Sequence, residues 1–375
     1  MGKTTAAGLA FLLAAATSAA AQSGPVGYWK GDDGNTPGTA VDSSGNGHPG
    51  TYTNGATTSP TVPTLQFLNP TSFSFNGTGA NVSVPGFAWP GGGAVTIAYW
   101  NNVATGQVQN SSAFTVGNMD NENRFHVHGP WGDKTIYWDY GNINANGRNS
   151  TDYTAYLDKW THVALVSEGM NGAFKAIYLD GVLKASATSS NGPTAGLTGL
   201  FIGGWPGANL NHKGLMDDFR IYNRVLTITE IQLLASGAGG PPEPTGLQAT
   251  PAIGQIQLQW NASAGATGYY LKRTPANATT PTVITVSGTT FTDNGLSPGW
   301  PYSYVVSAFN FIGEGPDSSP AVTSSPLSPP PRTQKLGSDD SCGCGTVPVA
   351  GPELWSLMAI VAALIAVSGL FRSRI

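Results

Sequence analysis

The chain has 375 residues, enough for more than one domain, and 40% of them are hydrophobic, enough for packed cores, which excludes global disorder. Charged residues make up only 10%, against roughly 25% in ordinary soluble domains. The net charge of −4 comes without any Lys/Arg cluster, which excludes a nucleic-acid partner held by counterion release.

The 50 glycines and 27 prolines suit short strands joined by turns. The chain opens "MGKTTAAGLAFLLAAATSAAAQS": Lys3, an apolar run from Ala6 to Ala16, then Ala19-Ala20-Ala21. This is the pattern of a secretory signal peptide over 1–21. An aromatic strand with Tyr28 and Trp29 then meets Asp32, and Asp42 opens a Gly-rich turn. "SFSFNG", "VTIAYWNNV", "KWTHVALVSEG" and "FKAIYLDGVLKASAT" read as strands, with Asp180-Gly181 as a hairpin turn.

The densest chemistry lies at 124–140, "RFHVHGPWGDKTIYWDY". As a strand, Arg124, His126 and His128 share one face. A second strand puts Ile136, Trp138 and Tyr140 on one face, Tyr137 and Asp139 on the other, and "GPWGDK" joins the two. His128 and Asp139 are then expected within hydrogen-bond reach. A last strand, 214–223, runs into a helix with Thr227 as cap and Glu230 at its third position, a capping box.

A Gly/Pro linker occupies 237–243, and alternating strands follow over 244–326, with Tyr302, Tyr304, Val306 and Ala308 on one face. A Pro-rich stalk over 327–346 carries Cys342 and Cys344. The apolar segment 354–371 would span about 27 Å as a helix, close to a bilayer core. Arg372 and Arg374 follow it, so the positive-inside rule puts the rest of the chain outside. The cysteine pair, apolar helix and terminal arginines resemble C-terminal sorting signals of some Gram-negative bacteria, in which the motif is a place of processing or lipidation. A plain single-pass anchor with reduced thiols is the alternative.

Two further resemblances cover most of the chain. Tyr28-Trp29 with 42–50, Trp160-Thr-His-Val-Ala, Ile177-Tyr-Leu-Asp-Gly, and 216–226 with Glu230-Ile resemble the laminin-G-like, or concanavalin A-like, jelly roll over 25–236. Pro244, Leu247, Trp260, Tyr270, Leu296, Tyr302, Ala308 and Gly313 resemble the fibronectin type III pattern over 244–326. The resemblances imply an all-β fold of two sandwiches, with Tyr302 as a corner tyrosine tied to nearby backbone. They also imply glycan or protein binding, and in many jelly rolls a structural calcium ion. Asp217, on the last strand, falls at the calcium position and Asp32 is placed to help. The alternative for both is a solvated edge charge. Asp218, one residue on, is expected on the opposite face.

Three functions compete for the 124–140 run. Carbohydrate binding needs flat aromatic faces and hydrogen-bonding groups. Trp131 in its loop and Trp205 in "GGWPG" are expected to be exposed, with His128 and Asn209 nearby, whereas Trp138 is expected in the core and Arg124 and Asp139 as strand braces. Metal binding by His126 and His128 lacks a third ligand close in sequence, though His48, His162 or His212 remains open. Glycosidases on this jelly roll use Glu-x-Asp-x-x-Glu on one strand, and the chain lacks it. The expectation is an exported, noncatalytic cell-surface protein that recognises polysaccharide or a surface glycan. A protein-binding or structural surface component is the alternative, and a polysaccharide-degrading enzyme is disfavoured.

Overall fold

The computed structural model describes residues 24–331 except 34–37, 90, 118–119 and 195. The expected signal peptide, Cys342, Cys344 and the apolar segment 354–371 lie outside the described residues. Among the described residues no helix is long and apolar enough to cross a membrane.

The first domain runs β1 (Gly27–Trp29), β2 (Thr39–Ala40), β3 (Gly50–Thr53), β4 (Thr57–Ser59), β5 (Ser72–Asn76), β6 (Asn81–Trp89), β7 (Val95–Asn102), β8 (Ser112–Val116) and β9 (Arg124–His128). It continues with β10 (Thr135–Gly141), β11 (Arg148–Asp152), β12 (Thr161–Ser167), β13 (Ala173–Leu179), β14 (Val182–Ser189), β15 (Leu197–Ile202), β16 (Gly204–Trp205), β17 (Leu210–Asn211), β18 (Lys213–Tyr222) and α1 (Ile228–Ala235). One sheet has the order β14-β13-β12-β7-β18-β5-β4, with β1 also on β18, and the second has β11-β10-β9-β8-β15-β6-β3-β2. Every pairing in both sheets is antiparallel. The result is the all-β sandwich that the sequence implies.

Period-two alternation decides what faces the core. Phe125 and Val127 of β9, and Ile136, Trp138 and Tyr140 of β10, are wholly buried between the sheets. Trp138 stacks on Tyr140 at 5.6 Å and meets Phe125 edge-on at 6.1 Å. Truncating such a ring to Ala typically costs about 3–5 kcal/mol. The residues between them, His126, His128, Tyr137 and Asp139, are thereby turned to the outer face of the second sheet.

Local signals also act as read. Asp180 and Gly181 both take positive φ, 49° and 73°, in the two-residue turn between β13 and β14. At α1, the Thr227 hydroxyl accepts from Glu230 N–H at 3.3 Å, and the Glu230 carboxylate accepts from Thr227 N–H at 2.7 Å.

The second domain packs a three-stranded sheet (Gln248–Ala252, Gln255–Gln259, Thr290–Asn294) on a five-stranded one whose centre is Gly268–Pro275 and Tyr302–Phe309. The Tyr302 hydroxyl accepts from Ser297 N–H at 3.2 Å, the expected corner. Tyr269, not Tyr270, joins Trp260 in the core, and Tyr270 stacks outside on Phe309 at 4.4 Å. Phe311 and Ile312 from a loop of the second domain are buried in one apolar cluster with Tyr222, Leu226, Ile231 and Leu234 of the first domain.

Candidate functional site

The outer face of β8–β11 gathers the polar residues of the 124–140 run. Asp139 lies opposite His126 on β9 and opposite Arg148 on β11, while His128 lies opposite Tyr137. The expected His128–Asp139 hydrogen bond is therefore not made: His128 Nε2 stands 4.0 Å from Asp139 Oδ2. Arg148 instead grips the carboxylate with both arms, Nε to Oδ1 at 2.6 Å and Nη2 to Oδ2 at 2.5 Å. Asp139 thus braces two strands, as expected of it.

Above this pair runs a row of rings. His126 and His128 meet at 4.0 Å between centroids, His128 meets Trp131 at 4.4 Å, and His126 meets Trp205 at 5.2 Å. The Arg124 guanidinium lies 5.0 Å over Trp205, and that of Arg148 5.2 Å over Tyr137. Trp131 and Trp205 are partly buried rather than fully exposed as expected, and Asn209 is exposed. Trp131 is held in its turn, since its N–H donates to Thr135 C=O and its own C=O accepts from Lys134 N–H, both at 2.8 Å. Trp205 sits on the hairpin β16–β17, opposite Leu210. In that hairpin the Asn211 amide donates to Asn209 Oδ1 at 3.1 Å. Two rings held at separate points, ringed by arginine, tyrosine and amide groups, make a surface on which a chain of hydroxylated rings can lie.

Burial sets the protonation of this face. It keeps the imidazoles neutral, with His128 brought to about 3 by desolvation and then by His126, and His126 also lowered by desolvation. For Asp139 burial pushes upward, but the Arg148 hydrogen bonds win and hold it at about 2. Ser112 Oγ lies 2.6 Å from His126 Nε2, giving a Ser112–His126–Asp139 line that echoes a hydrolytic triad. The base-to-acid separation is 3.7 Å, Arg148 occupies both acid oxygens, and Ser112 is wholly buried. No nucleophile is thereby presented to solvent. Sequence reading missed Ser112 and Arg148. Both approaches depend on strand register, which the residue pattern does not carry.

Residues 76–232 match the family model of the concanavalin A-like lectin/glucanases superfamily, and residues 242–324 match that of the fibronectin type III domain. The chain carries a concanavalin A-like domain followed by a fibronectin type III domain. Among curated proteins it is 30% identical to chitinase A1 of Niallia circulans over 141 residues, 36% of this chain and 20% of that one. It is 33% identical to an amylopullulanase of Thermoanaerobacterium saccharolyticum over 91 residues, 24% of this chain and 7% of that one. The chain therefore spans a fifth or less of the length of these relatives. Among solved structures, domain 4 of an extracellular arabinanase from Geobacillus stearothermophilus, in complex with arabinotriose, is 18% identical. Its TM-score is 0.41, over 57% of this chain and 99% of that one.

The concanavalin A-like domain holds a second polar corner, where β18 passes the segment after β1. Asp217 is wholly buried, with Oδ2 accepting from the Asn69 amide at 2.8 Å and Oδ1 unpartnered. Asp32 Oδ1 is likewise buried without a partner. Desolvation pushes Asp217 up to about 9, and Asp218 and Asp32 add to this. Asp32 is raised to about 6, first by desolvation. Unpartnered, mutually repelling carboxylate oxygens are the donor set a hard cation takes. Asp218 is separated from them by a bulge rather than by strict alternation. It takes a φ of 55°, and its carboxylate pairs with Arg220 and the Tyr28 hydroxyl.

Proposed function

We propose that this is an exported, noncatalytic recognition protein whose concanavalin A-like domain binds polysaccharide on the outer face of its second sheet. The observation that carries the reading is the pair of partly exposed tryptophans, Trp131 and Trp205, standing at either end of the His126–His128 pair. Rings at two points offer stacking platforms for two sugars of one chain, and Arg124, Tyr137 and Asn209 supply polar groups beside them. The curated relatives are by name enzymes of polysaccharide breakdown, which supports a carbohydrate ligand over a purely structural role.

The acids of this face are unsuited to glycoside cleavage. A general acid needs a raised pKa, whereas Asp139 is held at about 2, and Asp133 is lowered by hydrogen bonds from Tyr137 and Thr135. The same reading puts a calcium ion at Asp217 and Asp32, where it would neutralise the buried carboxylates and tie β18 to the opening segment. The test of the main claim is a screen of the purified protein on a polysaccharide and glycan array, with hydrolysis products assayed in parallel. Saturable binding without product supports the proposal. Reducing ends released from any bound glycan would overturn its noncatalytic half, and a blank array its ligand class.

A further inference from the structure

The histidine pair holds a feature that sugar stacking does not need. His126 is wholly buried, its Nε2 meets Ser112 Oγ, and its Nδ1 has no partner, though Asp139 Oδ2 lies 3.7 Å away. That separation is too long for a hydrogen bond if Nδ1 carries the proton. If Nε2 carries it instead, as a donor to Ser112, a bare lone pair faces an ionised carboxylate. Either tautomer leaves the pair unsatisfied, and a cation between them would satisfy both. His128 Nε2 completes the set, 4.0 Å from the same oxygen. One ligand atom from each of His126, His128 and Asp139 lies within 4.8 Å of the other two.

We propose that His126 Nδ1, His128 Nε2 and Asp139 Oδ2 form a site for a divalent transition-metal ion of the zinc class. Imidazole nitrogen with one carboxylate suits zinc, copper and nickel, not calcium, which takes oxygen. Neighbouring donors in a tetrahedral zinc site stand about 3.3 Å apart, so each histidine nitrogen needs to approach Asp139 Oδ2 by roughly half an ångström and the two nitrogens, within 4.8 Å of each other, by up to about 1.5 Å. The surroundings already orient them. Ser112 fixes the far nitrogen of His126, and Arg148 holds the Asp139 carboxylate, whose Oδ2 has a second lone pair left for a metal. The third donor is thus Asp139 from the adjacent strand, not one of the distant histidines. Three protein ligands leave a fourth position open for water or a ligand. The site does not depend on sugar binding and is tested apart from it.

The full-length protein with Cys342→Ser and Cys344→Ser, which removes the competing thiols, is titrated with Zn2+ against a chromophoric chelator. The proposal expects one ion per chain, undisplaced by millimolar Ca2+, and a loss of affinity of more than about tenfold in His126→Ala. His212→Ala, which removes a buried histidine outside the cluster, should bind as the parent does. Should His126→Ala fail to fold, Cu2+ loaded on the parent is read by electron paramagnetic resonance, where two imidazole nitrogens are expected. No zinc bound by the parent overturns the proposal, as does undiminished binding by His126→Ala or a copper spectrum without two imidazole couplings.

Discussion

Asp217→Asn separates the electrostatic account of the acid corner from a merely structural one. In the folded chain without a cation, burial raises the Asp217 carboxyl to about 9. In the unfolded chain it titrates near 3.8, so at pH 7 the unfolded state has lost a proton that the folded state keeps. Each pH unit between 3.8 and 7 costs the fold about 1.4 kcal/mol, which bounds the penalty at about 4 kcal/mol. For this raised carboxyl the penalty grows as pH rises from 3.8 towards 9 and is absent below it. Asparagine removes the titration and keeps an oxygen for the Asn69 amide. In excess chelator at pH 7, Asp217→Asn is therefore expected to be more stable than the parent, by about 1–4 kcal/mol in urea unfolding. In calcium the gap closes, and the order reverses wherever the advantage in chelator is below about 2.7 kcal/mol. The parent gains about 2.7 kcal/mol at a hundredfold excess over Kd, and the variant gains nothing. A variant less stable than the parent in chelator, or one gaining as much from calcium, would refute the reasoning.

The buried histidines give an opposite pH dependence. Burial lowers His128 and His162 to about 3 and His212 to about 4, so the unfolded chain takes up protons below about 6.5 that the folded chain refuses. With calcium present to silence Asp217, the urea midpoint should fall steadily from pH 6.5 to 4; a flat profile there would count against buried neutral imidazoles. Export is checked by mass spectrometry of the protein from the cell envelope. The mature chain should begin at Gln22, and a retained Met1 would contradict the signal-peptide reading.

Much of this was legible because alternation is a one-dimensional signal. Phe125, Val127 and Trp138 announce the core face, and the same parity turns His126, His128 and Asp139 outward. The capping box at Thr227 and the Asp180-Gly181 turn are likewise local. Register is not local. It is set by the loops between β9, β10 and β11, and it decides that Asp139 faces His126 and Arg148 rather than His128. Ser112 reaches His126 from β8, fourteen residues away, with no sequence mark of the approach. Phe311 and Ile312 carry no local mark of their burial, because the apolar surface that buries them belongs to the other domain. At Asp218 a bulge overrode alternation, although the pairing with Arg220 still leaves Asp217 as the freer carboxylate.

The central claim is that Trp131 and Trp205 are the ring platforms of a polysaccharide surface. Its most direct test is isothermal titration of the best array ligand into the parent, Trp131→Ala and Trp205→Ala, each shown to be folded by its thermal melt. Each loss should weaken binding by about 1–3 kcal/mol, the worth of an aromatic stack at a binding surface, or roughly five- to a hundredfold. Unchanged affinity in both variants would place the ligand elsewhere and contradict the account.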